Sequence, residues 1–133
     1  MNSGSFDANV LLRLLLNDIK DQHAAVLNLM QESSAPFMVA DVAVVEVVFV
    51  LERHYGFTRS QITEAIEGLC SIPQINCNQT LFRKALPIFS KNIKLSFEDC
   101  CLATYAELQN SLPLWTFDRK LANQAPGARI VPN

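Results

Sequence analysis

Glycine is scarce in this chain, four residues in 133, and no Gly-rich loop of the kind that cradles phosphates can be built from so few. Charge is thin as well. Only 18% of the residues are Asp, Glu, Lys or Arg, against about a quarter in an average soluble domain. Histidine occurs twice, at His23 and His54, without ligand spacing or a partner motif. That argues against a histidine-bound metal and against a histidine general base. The cysteines (Cys70, Cys77, Cys100 and Cys101) show no metal-type spacing either, since adjacent Cys100 and Cys101 would point different ways on a helix. They are expected to be buried, reduced thiols in a cytoplasmic protein. The opening Met-Asn-Ser-Gly-Ser-Phe has neither the basic nor the apolar region of a secretory leader. Asp41, Glu46 and Glu52 interrupt the longest apolar stretch, well short of the roughly 20 residues of a membrane span.

What the chain has instead is apolar surface. Half of it is hydrophobic, which suits one domain over residues 1–133 with a real core. The shortfall of charge predicts that part of the apolar surface is covered by another chain, and a homodimer is the default. Net charge is −2, so the protein is no bulk polycation. The halves differ, however: residues 1–80 hold nine acids and four bases, and residues 81–133 hold four acids and seven bases. Such an asymmetry suits a basic rim around an acidic pocket, and equally suits ordinary solvated faces.

Short apolar strands alternate with amphipathic segments, and no linker, low-complexity stretch or repeat appears. Phe6-Asp7 closes a brief first strand, behind the polar run Asn2-Ser3-Gly4-Ser5. Helical periodicity starts at Val10 and stops at Asn17-Asp18, and a second helix is expected over 21–33. Phe37 to Ala40 reads as a strand. The valine-rich segment 41–55 favours strand by propensity but exceeds the usual strand length. With Asp41 as N-cap and Gly56 after its end, it is expected to be a helix, apolar nearly all round and buried on several sides or at an interface. Thr58-Arg59-Ser60-Gln61 is a capping box ahead of another helix. A short strand at 75–77 follows, then a helix from Leu81 that Pro87 should kink or shorten. Ser96-Phe97-Glu98-Asp99 resembles a second capping box and opens a helix to about Gln109. Leu114-Trp115-Thr116 reads as a strand, 118–123 as a short helix and 128–131 as the last strand. Trp115 and Tyr55 read as core or interface aromatics rather than base-stacking platforms. The order predicts an α/β/α three-layer α/β fold, with a short, mostly parallel sheet between helices.

Against that frame four acids stand out: Asp7, Glu46, Asp99 and Asp118, each in an otherwise apolar stretch. An unpaired carboxylate in apolar surroundings normally neutralises, pairs or binds a cation. Glu46 has no base three or four positions away to pair with, and its plain alternative is a chain end that snorkels to the surface. Each aspartate also has a plain alternative as a helix cap or first-turn acid. Their placement adds to the case, since ligands of open parallel sheets bind outside the carboxyl ends of the strands, where Asp7 and Asp118 fall. Four such acids in one cleft would make a site for a hard divalent metal.

These residues carry a family resemblance. Phe6-Asp7-Ala8-Asn9-Val10-Leu11-Leu12 resembles the opening Asp-x-Asn motif of PIN-domain ribonucleases. Glu46 within Val44-Val45-Glu46-Val47-Val48 matches their second acid, Ser96-Phe97-Glu98-Asp99-Cys100-Cys101 is similar to their third-acid helix, and Trp115-Thr116-Phe117-Asp118 to their closing Thr-x-Asp motif. The motifs stand in family order, and the pattern is most similar to VapC-type toxins of toxin–antitoxin pairs. The resemblance implies hydrolysis of RNA phosphodiesters with Mg2+ or Mn2+. Asp7 and Asp99 are the firmest expected ligands, Glu46 a ligand or water-positioning base, and Asp118 a weaker ligand. Thr116 is then expected to orient a carboxylate and Asn9 to do likewise or touch a phosphate, against an ordinary strand position and turn chemistry. Arg119 and Lys120 would hold RNA phosphates, with a solvated helix face as the plainer reading of Lys120. The family reading adds a cognate antitoxin as partner. A receiver-like phosphoacceptor fits less well, because the first motif has one acid rather than a pair. The closer rival is a catalytically inactive PIN-like module that binds RNA or protein.

Overall fold

The computed structural model describes residues 2–133. In it the chain divides into two compact units, the first ending at Asn78 and the second starting at Gln79.

The first unit opens with a segment only marginally a strand. Ser5 forms a single parallel bridge with Met38, supported by Ser3 N–H to the Pro36 carbonyl at 2.7 Å and Phe6 N–H to the Met38 carbonyl at 3.0 Å. The polar run before Phe6 explains the brevity, since it offers little to bury. Phe6 itself is buried and stacks on Phe37 with ring centroids 4.3 Å apart. Helices α1 (Ala8–Leu15) and α2 (Lys20–Glu32) follow, then strand β1 (Phe37–Met38). Helix α3 (Asp41–Arg53) confirms helix over strand for the valine run, and α4 (Arg59–Cys70) leads into β2 (Ile75–Asn76), which pairs parallel with β1. The Thr58–Gln61 capping box is complete in both directions. Asp41 is not the N-cap of α3. It is the first helical residue, Ala40 caps without a side-chain bond, and the Asp41 carboxylate accepts from Asn78 Nδ2 at 3.2 Å. At that position it still faces the positive end of the helix dipole.

Helix α3 is also less enclosed than its composition suggests. Ala43, Val44, Val47, Val48 and Leu51 are buried, whereas Val42 is 78% and Phe49 53% exposed. Cys77 departs from the expectation of four buried thiols. It is half-buried and lies 3.2 Å from Cys70 Sγ. The Cys70 hydrogen bond stabilises its thiolate against burial and the Asp41 carboxylate, and leaves the Cys77 thiol below its usual range.

In the second unit, α5 (Gln79–Lys91) packs on α6 (Phe97–Leu108), followed by β3 (Leu114–Thr116), α7 (Arg119–Gln124) and β4 (Ala128–Ile130). Strand β4 pairs parallel with β3. Each unit therefore carries its own two-stranded parallel ladder, and among the described residues seven helices with short parallel sheets make the architecture α/β. Helix α5 runs through Pro87 instead of ending there. Pro87 and Arg83, whose carbonyl loses its usual i+4 donor, are both exposed, so water can serve that carbonyl. The buried face holds Leu81, Phe82, Ala85, Leu86 and Phe89, and Phe97 meets Phe89 edge-on at 5.4 Å. Among the described residues no helix is long and apolar enough to cross a membrane.

Candidate active site

Of the four acids, Asp7 and Glu46 belong to the first unit and Asp99 and Asp118 to the second. Asp7 follows the Ser5–Phe6 segment and is the N-cap of α1, its Oδ1 accepting from Val10 N–H at 3.0 Å. Because that segment runs parallel to β1, Asp7 and the start of α3 lie at the same edge of the first ladder. Helix α1 packs on α3. Glu46 sits in the second turn of α3 and is exposed, so its charge carries no burial cost and the apolar residues around it in sequence are not its surroundings.

Asp99 lies in the first turn of α6 and is half-buried. Ser96 Oγ accepts its backbone N–H at 3.1 Å. The return bond of a capping box is not made, which leaves the Asp99 carboxylate uncommitted. Asp118 stands just past the carboxyl end of β3 and caps α7: Oδ1 accepts from Lys120 N–H at 2.8 Å and Leu121 N–H at 3.3 Å. Thr116 takes a different part from the one expected. Its Oγ1 accepts the Asp118 backbone N–H at 2.9 Å, so it shapes the turn that presents Asp118 and does not hold a carboxylate. Asn9, in the first turn of α1, is exposed and makes no side-chain hydrogen bond to a described residue. Arg119 and Lys120 are exposed at the start of α7.

The four acids share one property. None is in an ion pair among the described residues, and each keeps at least one carboxylate oxygen without a protein partner. Three bases pair with other acids: Arg13 with Asp18 at 3.1 Å, Arg59 with Glu52 at 3.3 Å and Lys84 with Glu107 at 3.8 Å. Tyr55, half-exposed rather than core, donates to Asp18 at 3.0 Å and accepts from Arg13 at 3.2 Å. Desolvation raises the Asp18 carboxyl, but Tyr55, Arg13 and backbone N–H groups outweigh it and hold the group below its ordinary value. Carboxylate oxygens are the donor type that Mg2+ and Mn2+ take. Among the described residues, no three His, Cys, Asp or Glu side chains form a ready-made metal-binding group.

Of two neighbours of Asp118, Phe117 went unremarked in sequence and Trp115 was expected in the core or at an interface. Trp115 is 52% and Phe117 78% exposed, which removes Trp115 from the core. The signal available in sequence was the pair of aromatics flanking Thr116 just ahead of Asp118.

Comparison with known proteins adds one finding. A family model described as the PIN domain matches residues 6–125, and so takes in all four acids and both units. No curated protein matches the chain.

Proposed function

The chain belongs to the PIN-domain family, whose fold is of the nuclease type, and on that premise we propose that it is a Mg2+- or Mn2+-dependent cytoplasmic ribonuclease, the toxin of a toxin–antitoxin pair. The observation that carries this reading is the state of the four family-position acids. Asp7 and Asp118 each spend one oxygen on a helix cap, and Glu46 and Asp99 spend none on a donor among the described residues. Among the described residues these four stay out of every ion pair and keep oxygens available.

Asp7, Glu46, Asp99 and Asp118 would hold the cation. When bound, it supplies charge neutralisation at the scissile phosphate and acidifies water. The protein's own part is orientation. The Val10 N–H fixes the Asp7 rotamer, and the Lys120 and Leu121 N–H groups fix that of Asp118, each through one oxygen. Glu46, the longest of the four and tied to nothing, suits proton removal from the attacking water. Arg119 and Lys120 are proposed to meet RNA phosphates by charge. The exposed Val42 and Phe49 of α3 support a face covered by a second copy or by a segment of the antitoxin.

The rival reading, a binding module without hydrolysis, draws on the use of Asp7 and Asp118 as caps. Mn2+ separates the two. A metal bound only by the native state at a hundredfold excess over its Kd stabilises by about 2.7 kcal/mol. The proposal expects a clear rise in melting temperature with Mn2+, absent in Asp99→Asn. An unchanged melt in wild type would favour the module.

A further inference from the structure

The β3–β4 ladder of the second unit exposes Trp115 and Arg129, Phe117 stands in the bend just past β3, and Arg119 and Lys120 open α7 directly after it. Trp115 and Phe117 are 52% and 78% exposed, although large aromatics are normally well buried. The strand register sets Arg129 directly across from Trp115, and Arg129, Arg119 and Lys120 are all exposed. None of these cations is ion-paired among the described residues. Between Leu114 and Asn133 the sole acid is Asp118. Planar apolar surface interleaved with uncompensated positive charge is the combination that binds single-stranded nucleic acid: bases stack on the rings and cations track the backbone.

We propose that this face binds unpaired RNA, with Trp115 and Phe117 stacking bases and Arg119, Lys120 and Arg129 holding phosphates. The identity of the ligand rests on the ribonuclease reading, and charge complementarity selects it over a second copy, which would bring three more cations to the same patch. Duplex RNA is disfavoured because its bases are already stacked on one another and cannot reach the rings. Phe117 precedes Asp118 in the chain, so a base stacked on Phe117 brings its own phosphate toward the fourth acid. Selectivity for unpaired segments is thus set beside the proposed chemistry.

Trp115 is the only tryptophan, and its emission reports on this face alone. The test is a titration of full-length Asp99→Asn in EDTA, which prevents cleavage, with an oligouridylate and separately with an RNA hairpin duplex. Saturable quenching by the single strand, with much weaker binding of the duplex, is expected. Phe117→Ala should weaken binding about tenfold or more, the scale of one lost base–aromatic stack. Three phosphate contacts at about 0.7 each give a slope near −2 for the logarithm of the association constant against that of salt. The slope should flatten in the triple variant Arg119→Ala, Lys120→Ala, Arg129→Ala. Absent quenching, equal binding of duplex and single strand, or an indifferent Phe117→Ala would overturn the proposal. So would an emission change driven by protein concentration alone, which would assign the face to a second copy. Quenching by RNA that wild type with Mg2+ or Mn2+ never cuts would leave this surface standing and sink the ribonuclease reading. Cutting without quenching would do the reverse.

Discussion

Replacing Asp118 by asparagine and by alanine separates what its charge does from what its hydrogen bonds do. Its Oδ1 accepts from the Lys120 and Leu121 N–H groups, and asparagine offers a carbonyl oxygen at the same place. Asn and Asp are about equal as N-caps. Asp118→Asn therefore loses only the interaction of an exposed charge with the helix dipole, about 0.3–0.5 kcal/mol toward the low end of that effect. Asp118→Ala loses the cap too, about 1 kcal/mol more. Because α7 has six residues, no longer helix dilutes the loss. For a domain of this size, 1 kcal/mol moves the melting temperature by about 4 °C. Calorimetric melts without metal should place Asp118→Asn within about 2 °C of wild type and Asp118→Ala roughly 5 °C below it. RNA cleavage should fall in both. Equal destabilisation by the two variants would refute the capping argument. Undiminished cleavage by Asp118→Asn would remove Asp118 from the site.

Other perturbations have equally definite outcomes. Asp18 is held below its ordinary 3.8 by Tyr55 and Arg13 against some desolvation, so its stabilisation is full above that value and lost as pH falls through the lowered one. The melting-temperature gap between wild type and Asp18→Asn should be present at neutral pH and should close as the lowered carboxyl is protonated in acid. Phe89→Ala opens a hole at a fully buried ring that meets Phe97 at 5.4 Å, and urea unfolding should show a loss of about 3–5 kcal/mol. Gly127 has φ +78°, and a Cβ there would come within 2.7 Å of the Leu112 side chain. Gly127→Ala should cost about 1–2 kcal/mol by the same assay, and Leu112→Ala in that background should relieve the contact but not the backbone strain. Cys77, half-buried with a lowered thiol, should alkylate with iodoacetamide before the three buried cysteines do, as mass mapping would show.

Local grammar was the most legible part of the chain. The Thr58–Gln61 box needs only residues three apart, and both its bonds form; the Leu114–Thr116 strand likewise appears as expected. What depends on tertiary surroundings was harder to read. Asp41 has the composition of a cap, yet its carboxylate answers to Asn78, thirty-odd positions away in sequence. Glu46 looked buried because valines flank it, but in a helix its spatial neighbours lie three and four residues off. The exposed Val42, Phe49 and Arg53 share its wet face. A stripe of apolar residues left in water is invisible to periodicity, which sorts positions by hydropathy and assumes that apolar means inside. Pro87 is tolerated because it falls on the solvent side of α5, again a matter of what lies opposite. At the candidate site the acids and their strand-end positions were legible. The part played by Thr116, which bonds a backbone N–H and not a carboxylate, was not, since one hydroxyl serves either partner.

The central claim, that these acids act together in metal-dependent RNA hydrolysis, is tested most directly by cleavage of a panel of small structured RNAs in Mg2+, Mn2+ or EDTA. Wild type would be run beside Asp7→Asn and Asp99→Asn, one acid from each unit. The account predicts cutting by wild type with either metal, none in EDTA, and none by either variant although both melt as folded proteins. Cutting that persists in EDTA, or in both folded variants, would contradict it.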